Sequence, residues 1–398
     1  MKFVLPRVIK ANRGDLASRW ALLNSLSKTG VNECFVFSQF KEEIPHHIVD
    51  FIPYGPLRNI FPTLKGWKAL LKSDVLIWGV GLDIQDDSSL MKLIYLWAIF
   101  RLYRLLGLEI WNLFQGAGPI ISPQGRFLTR QILKQITVFV ARDPQSLDLI
   151  RSLSTKPKTY LGRDAIFLSG IENNPDKINK VEKKWLDTLY INGLLTVGFN
   201  IRQWFHFSSS ILPYQFSKKQ YLSRSESKME ELLDAARQTV RFLRTKYNIR
   251  VLLLSAYQPD IVPWEDDTPW LQSIKNNFKD DDNVILVDQA ISLPAYYQLM
   301  SRLDLVIGMR LHTTLIALRL GVPSINLSYT LKGEAILNHL ELSEYAVNLE
   351  KFIATPDILK SKIAFLLENS LSERKRIEKA VENAIEENEA LLKKILTK

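Results

Sequence analysis

Residues 303–329 read LDLVIGMRLHTTLIALRLGVPSINLSY, and the period of this stretch changes twice along its length. Residues 305–307 form a short apolar run with no helical repeat, closed by Gly308, which is the pattern of a buried strand. Gly308 permits a tight turn and lets a ligand come close to the main chain. From Thr313 to Leu320 the apolar residues fall at helical spacing, and Gly321-Val322-Pro323 stops that helix before a second buried strand. Arg310 and His312 therefore stand between the end of a parallel strand and the first turn of a helix. Unpaired amides and the positive end of the helix dipole favour an anion there. A guanidinium can add two parallel bonds to a carboxylate or phosphate. The competing structural reading pairs Arg310 with a nearby carboxylate and leaves His312 as a helix cap. The strand–turn–helix context favours the anion site.

The same alternation extends outward through the chain. Residues 2–5, 33–37, 74–78, 109–114 and 137–141 are expected strands, with a helix over 17–26 and a proline-containing loop over 41–66. Asn12-Arg13-Gly14-Asp15 is the expected turn after the first strand, where the plain role of Asp15 is to cap the helix. Gly79-Val80-Gly81 and Gln115-Gly116-Ala117-Gly118-Pro119 follow two of the strands, and Arg142-Asp143 follows another. A structural ion pair is the first reading of Arg142, and a cleft residue the second. A second series begins at 194–199, ending in Asn200-Ile201-Arg202, and continues with strands at 251–254, 284–287 and 305–307. Helices are expected at 225–247 and 294–302.

The expected fold is α/β: two doubly wound, Rossmann-like parallel-sheet domains facing a cleft, the arrangement of GT-B glycosyltransferases. The expected divisions are 1–168, a polar linker at 169–192, a second domain at 193–348, and helices at 349–398 that pack back on the body. The last helix should start with a capping box from Ser370 and Glu373 and bury Ile377, Val381, Ile385, Leu392 and Ile395.

At 398 residues and 46% hydrophobic content, two ordinary domains with a sizeable core are expected. The single cysteine, Cys34, excludes an internal disulfide framework and fits a reducing compartment. A net charge of +10 points to anionic partners: phosphorylated metabolites, acidic glycans, lipid head groups or nucleic acid. No signal peptide is read at the start, where Pro6, Arg7 and Lys10 interrupt the apolar run. Residues 90–108 are the most apolar helix. Lys92, Arg101 and Arg104 argue against a membrane span and for a buried helix, with contact to an anionic membrane surface as the minority reading. There is no phosphate-binding Gly-x-x-x-x-Gly-Lys loop, no His-Glu-x-x-His and no Gly-x-Ser-x-Gly elbow. His46-His47 are sequence neighbours in an expected loop, so no metal site is read.

The Gly308-Met309-Arg310-Leu311-His312 segment, with Ala317, Gly321-Val322-Pro323, Tyr329 and Lys332 behind it, resembles the signature of the polysaccharide pyruvyl transferase family. Asn12-x-Gly14-Asp15, the loop ending in Gly118-Pro119, and Arg142-Asp143 with Ser146 are also similar to that pattern, so the resemblance runs from Asn12 to Lys332. Val80 departs from it, since the family usually has three consecutive glycines there. The resemblance implies an enzyme that moves the pyruvyl group of phosphoenolpyruvate onto two hydroxyls of a glycan sugar. It implies that Arg202, Arg310 and His312 hold the donor, with Asn12, Gly14, Arg142 and Lys332 as further binding residues. His312 is the expected general acid or phosphate partner, because histidine titrates near neutral pH, and Asp15 the expected base for the acceptor hydroxyl. No cofactor or metal is expected beyond phosphoenolpyruvate as donor substrate. The expected partners are that donor and a glycan, lipid-linked among the options, with peripheral membrane contact and no nucleic acid. The expected place is the cytoplasm, at the inner membrane face. Two rivals stay open: a GT-B glycosyltransferase using a nucleotide sugar, and a non-catalytic binding or membrane-docking protein.

Overall fold

Short apolar runs alternating with helices build two parallel sheets, seen in a computed structural model that describes residues 1–397 except 8, 10–11, 39–45, 56–60, 88, 171–174, 192, 204–213 and 257–265. The first sheet uses β1 (Phe3–Leu5), β2 (Cys34–Phe37), β3 (Val49–Ile52), β4 (Val75–Ile77), β5 (Leu82–Ile84), β6 (Glu109–Ala117), β7 (Val138–Ala141) and β8 (Lys158–Leu161). Its helices are α1 (Arg13–Lys28), α2 (Leu64–Lys72), α3 (Leu90–Leu105), α4 (Pro123–Leu133) and α5 (Pro144–Leu153). Its order is β3-β2-β1-β4-β6-β7-β8, with β5 paired to β6.

After α6 (Lys180–Thr188), the second sheet uses β9 (Thr196–Asn200), β10 (Arg250–Leu254), β11 (Val284–Val287), β12 (Leu305–Gly308), β13 (Ser324–Ser328) and β14 (Ala346–Asn348). They are linked by α7 (Tyr214–Tyr247), α8 (Thr268–Lys275), α9 (Leu293–Ser301), α10 (Leu311–Arg319) and α11 (Leu331–His339). Its order is β11-β10-β9-β12-β13-β14. In both sheets the chain winds outward from the first strand, then returns to add strands on its other side. This is the doubly wound pattern, and it leaves a switch point between β1 and β4 and another between β9 and β12.

Helices α2, α3, α4 and α5 cover one face of the first sheet over their own core. The other face packs under α1 into a core that continues into the second domain. The closing helices are α12 (Leu349–Ala354), α13 (Asp357–Glu368) and α14 (Ser370–Leu396). α14 lies on the 3-10 turn at Ala165–Phe167 and on α10, so it touches both domains. Ile377, Val381, Leu392 and Ile395 are buried there and Ile385 is half-buried.

Several local expectations change. The loop expected over 41–66 contains β3, because its ladder with β2 makes a strand of four residues that show little pattern alone; residues 41–45 and 56–60 of it lie outside the described residues. α1 starts at Arg13, not at residue 17, and its cap is Asn12 rather than Asp15: the Asn12 Oδ1 accepts from the amides of Gly14 and Asp15. The polar segment 169–192 carries α6, and Asn173 and Asn174 lie outside the described residues. The capping box at Ser370 does not form. Asn369 holds the N-cap position, and the Glu373 carboxylate instead accepts from the buried Tyr345 hydroxyl. Among the described residues no helix is long and apolar enough to cross a membrane, and α3 lies against the first sheet through Leu93, Leu96, Ile99, Phe100 and Tyr103.

Candidate active site between the domains

The second switch point is built from the ends of β9 and β12, where Asn200 lies opposite Gly308. Asn200 is fully buried and ties three segments together. Its side chain donates to the Leu254 carbonyl at 2.8 Å, its carbonyl accepts from Met309, and its Oδ1 accepts from the Arg310 amide, each at 3.0 Å. Arg310 is the N-cap residue of α10 and makes no side-chain cap bond. Its guanidinium turns back to Asp267, with Nη2 at 2.7 Å and Nε at 3.1 and 3.2 Å from the two carboxylate oxygens. Asp267 has no exposed surface. The structural reading of Arg310, a carboxylate partner, is thus present in the geometry. Arg310 fixes the start of α8, at Asp267, to the start of α10, and its charge stays beside the first turn of α10.

His312 faces the first domain. Its Nε2 lies 3.6 Å from Asp164 Oδ2, and the same oxygen accepts from Arg142 Nη1 at 2.9 Å. Asp164 and Arg142 are buried, so this chain of charges runs through a low-dielectric seam. Burial alone would raise the Asp164 carboxyl. The His312 ring and the Arg142 guanidinium outweigh it and hold the group well below the usual carboxylate range. The Asp164 segment is itself pinned by Asn388 of α14, which donates to the Asp164 carbonyl at 3.1 Å. Gly14, in the first turn of α1, packs directly on His312: a Cβ at position 14 would lie 2.2 Å from the His312 Cβ. Only glycine lets the two helix starts meet at this distance.

Arg202 and Lys332 line the same seam. Arg202 Nη1 donates to the Tyr329 hydroxyl at 3.1 Å and lies over that ring, 5.4 Å from its centre. Lys332 crosses to the first domain, where its ammonium donates to the Gly118 carbonyl and, at 3.3 Å, to Gln85 Oε1. Burial pushes the Lys332 amine down to about 7, with nearby Asp87 opposing the shift and Arg142 adding to it. The glycine-rich loop is shaped by this neighbourhood, since a Cβ at Gly116 would meet the Arg142 Nε at 2.9 Å. So His312 meets Gly14 directly and shares Asp164 with Arg142, whose charge also acts on Lys332. Arg202 stands on Tyr329, and Arg310 is bound to Asp267.

Asp15 belongs to a neighbouring cluster at the carboxyl edge of the first sheet. Arg7 reaches Asp15 Oδ2 at 3.2 Å and Asp83 Oδ2 at 2.5 Å, and Lys92 adds a contact to Asp83 at 3.1 Å. Burial would raise the Asp83 carboxyl, but Arg7 and Lys92 hold it well below its ordinary range. The Gly79-Val80-Gly81 loop wraps this cluster. Gly81 has φ +90°, and a Cβ there would lie 2.4 Å from Arg7 Nη2. Val80 has φ 57° and is buried, so a β-branched residue holds the left-handed conformation that glycine adopts without strain.

Sequence reasoning missed Asp164, Asp267, Arg7 and Asp83. Asp267 had a readable signal, an Asp just before Thr268-Pro269 at a helix start. Asp164 had a weaker one, a carboxylate just after the short run 158–161 and Gly162. Nothing local to Arg7 or Asp83 shows that they pair across 76 residues.

Two Rossmann-like domains with the active-site candidates in the seam define a GT-B-type fold, and solved structures agree. UDP-GlcNAc 2-epimerase from Neisseria meningitidis bound to UDP-GlcNAc superposes with TM-score 0.61 at 12% identity, covering 100% of each chain. The same enzyme from Methanocaldococcus jannaschii gives 0.56 at 12% identity over 100% of this chain and 99% of that one. HepE from Anabaena in complex with UDP-glucose gives 0.55 at 13% identity over 99% and 97%. At these identities the likeness is one of fold. No curated protein matches the chain in sequence. The family is given by the sequence model for polysaccharide pyruvyl transferase, which matches residues 12–330: the chain belongs to that family.

Proposed function

We propose that this protein transfers the pyruvyl group of phosphoenolpyruvate to two hydroxyls of a glycan sugar, forming a cyclic ketal. The observation that carries this reading, beside family membership, is His312 at the uncapped start of α10, facing Asp164, which also holds Arg142. Phosphoenolpyruvate has a carboxylate and a phosphate on a small skeleton, and an uncapped helix start with cations nearby suits a ligand with two anionic groups.

In the proposed reaction His312 protonates C3 of the enol, and C2 becomes an oxocarbenium-like centre. Two sugar oxygens bond to C2 while the C2–O bond to phosphate breaks. One hydroxyl proton leaves with phosphate, and the other replaces the proton given to C3. Asp164 holds the His312 ring in place, Arg202 and Lys332 take the donor's anionic groups, and Arg310 holds the α10 start through Asp267. Arg142 steadies Asp164. Asp15, one residue beyond Gly14, is the base for an acceptor hydroxyl, with Arg7 keeping it in position. A cytoplasmic location at the inner membrane face, and a glycan carried on a membrane lipid, belong to the same proposal.

Thermal unfolding with phosphoenolpyruvate beside a panel of UDP-sugars tests the donor. A ligand at about a hundred times its dissociation constant adds roughly 2.7 kcal/mol. Stabilisation by phosphoenolpyruvate, with turnover at least about 100-fold lower in His312→Ala, is the expected result. Stabilisation by a UDP-sugar alone would select the second reading, a GT-B glycosyltransferase. That reading draws on the complexes with UDP-GlcNAc and UDP-glucose among structures of similar fold.

A further inference from the structure

Helices α2, α3 and α4 cover the same face of the first sheet, and α3 and α4 lie side by side. Their outward surfaces are unusual in two independent ways. They expose large apolar side chains: Leu64, Leu71, Leu105 and Phe127 are each more than half exposed, as is Ile121 just before α4, and Met91 and Ile94 nearly so. On α3 the exposed positions 91, 94, 98, 101 and 105 follow one helical stripe, apolar at Met91, Ile94, Ala98 and Leu105 with Arg101 among them.

Cations stand within and beside that stripe. α2 exposes Lys65, Lys68 and Lys72; α3 exposes Arg101 and Arg104; α4 exposes Arg126 and Arg130. None of the three helices contains an Asp or Glu. The contrast is with α14, whose sequence interleaves many glutamates with its lysines and arginines. Much of the chain's positive excess therefore lies on one face, together with exposed apolar groups. Trp67 and Trp97 are half-buried on the same helices, as suits rings at a boundary between oil and water.

We propose that this face docks the protein on a bilayer surface rich in anionic head groups. Isoleucine, leucine and phenylalanine side chains enter the head-group boundary, while the lysines and arginines meet lipid phosphates. Burial of apolar area explains why bare charges would not be enough, and α2, α3 and α4 carry no carboxylate to repel an anionic surface, although Asp148 is exposed on the neighbouring α5. An acidic protein partner would meet the cations but leaves the apolar stripe without a complement of its own.

The orientation this gives bears on the proposed reaction, and on that point it rests on the reading above. The starts of α3 and α4 lie at the carboxyl edge of the first sheet. Ile121 is three residues from Gly118, whose carbonyl holds Lys332 in the seam. Docking by this face sets the mouth of the seam at the lipid surface, where a glycan on a membrane carrier would reach it. Docking itself does not depend on the donor, so the two readings fail separately.

The test uses the full chain and sedimentation with vesicles of phosphatidylcholine alone or mixed with phosphatidylglycerol. Wild type should bind the mixed vesicles and not the neutral ones, more weakly as salt rises. Arg101→Glu with Arg130→Glu should weaken binding at least about thirtyfold, since each basic residue near such a surface contributes about 1 kcal/mol. Ile94→Ser with Phe127→Ser should weaken it at unchanged salt dependence. All four positions are exposed, so unfolding curves should match wild type and phosphoenolpyruvate stabilisation should persist. The proposal is overturned if wild type ignores the anionic vesicles or if the charge-reversed variant binds them as well. It is also overturned if the apolar variant loses self-association in gel filtration while vesicle binding is untouched, which would make the face a contact between copies.

Discussion

Two helix starts meet at the seam, and they are finished in opposite ways. At α1 the first amides are all engaged: Arg13 donates to the Ala256 carbonyl, and Gly14 and Asp15 donate to Asn12. At α10 no side chain caps the helix: a charged Arg310 holds the N-cap position, and its carbonyl takes the Thr313 amide at 3.0 Å. The positive end of a helix dipole attracts an anion only where its amides are left to a ligand. On the proposed function, binding capacity in the seam belongs to α10. The contribution of α1 is shape, through a glycine that makes room for His312.

The largest effect should come from breaking the support of the open start. Arg310→Ala leaves Asp267 buried without its cation, and chemical denaturation should show a loss of about 3–5 kcal/mol. Replacing both members with apolar residues of similar volume should restore much of that loss. A double variant as unstable as the sum would show that the pair is not an isolated unit.

Lys332 sharpens the comparison through pH. Its folded value is about 7 and its unfolded value 10.5, so the unfolded chain binds the extra proton between these limits. Below about pH 7 the folded protein bears the full burden of a buried ammonium, and wild type gains stability as pH rises towards 10.5. Lys332→Met should therefore be more stable than wild type by roughly 2–4 kcal/mol near pH 6, and the advantage should vanish by about pH 10.5. A pH-independent difference would remove the buried-amine account. Phosphoenolpyruvate binding near pH 8 should be accompanied by proton uptake in calorimetry if the amine meets an anion.

Gly14→Ala tests the room that α1 leaves. The added methyl collides with the His312 Cβ, so a loss of about 1–3 kcal/mol is expected, with turnover falling further than stability alone explains. An unaffected enzyme would mean that the helix starts separate freely. Asn12→Ala should have the smallest effect, about 1 kcal/mol from a lost cap, measured by unfolding, with donor affinity little changed. A large fall in donor affinity would show that Asn12 acts on the ligand as well as on α1.

Much of this was legible because its signal is local. Residues 305–323 announce a strand, a turn and a helix through their periods, and Arg310 and His312 sit in the turn whatever the rest of the chain does. The short strands were not legible. β3, β5, β8 and β14 have three or four residues each and take their identity from a neighbouring ladder. The cap of α1 was displaced by three residues because Asn12 and Asp15 are both good caps in isolation, and only the path of the chain selects between them.

The sequence by itself determined the doubly wound class, the family motifs and the cations at the strand ends, since each is written in residues close to one another along the chain. The tertiary structure alone decided what those cations face. It sent the Arg310 guanidinium back to Asp267, brought Asp164 from the first domain to His312, and carried Lys332 across to Gly118. Periodicity is a property of neighbours, whereas a charge finds its partner through packing that joins residues far apart along the chain, 43 positions for Arg310 and Asp267 and 214 for Lys332 and Gly118. The shared exposed face of α2, α3 and α4 is of the same kind: each helix shows its own stripe, but only the sheet beneath them turns the three stripes the same way.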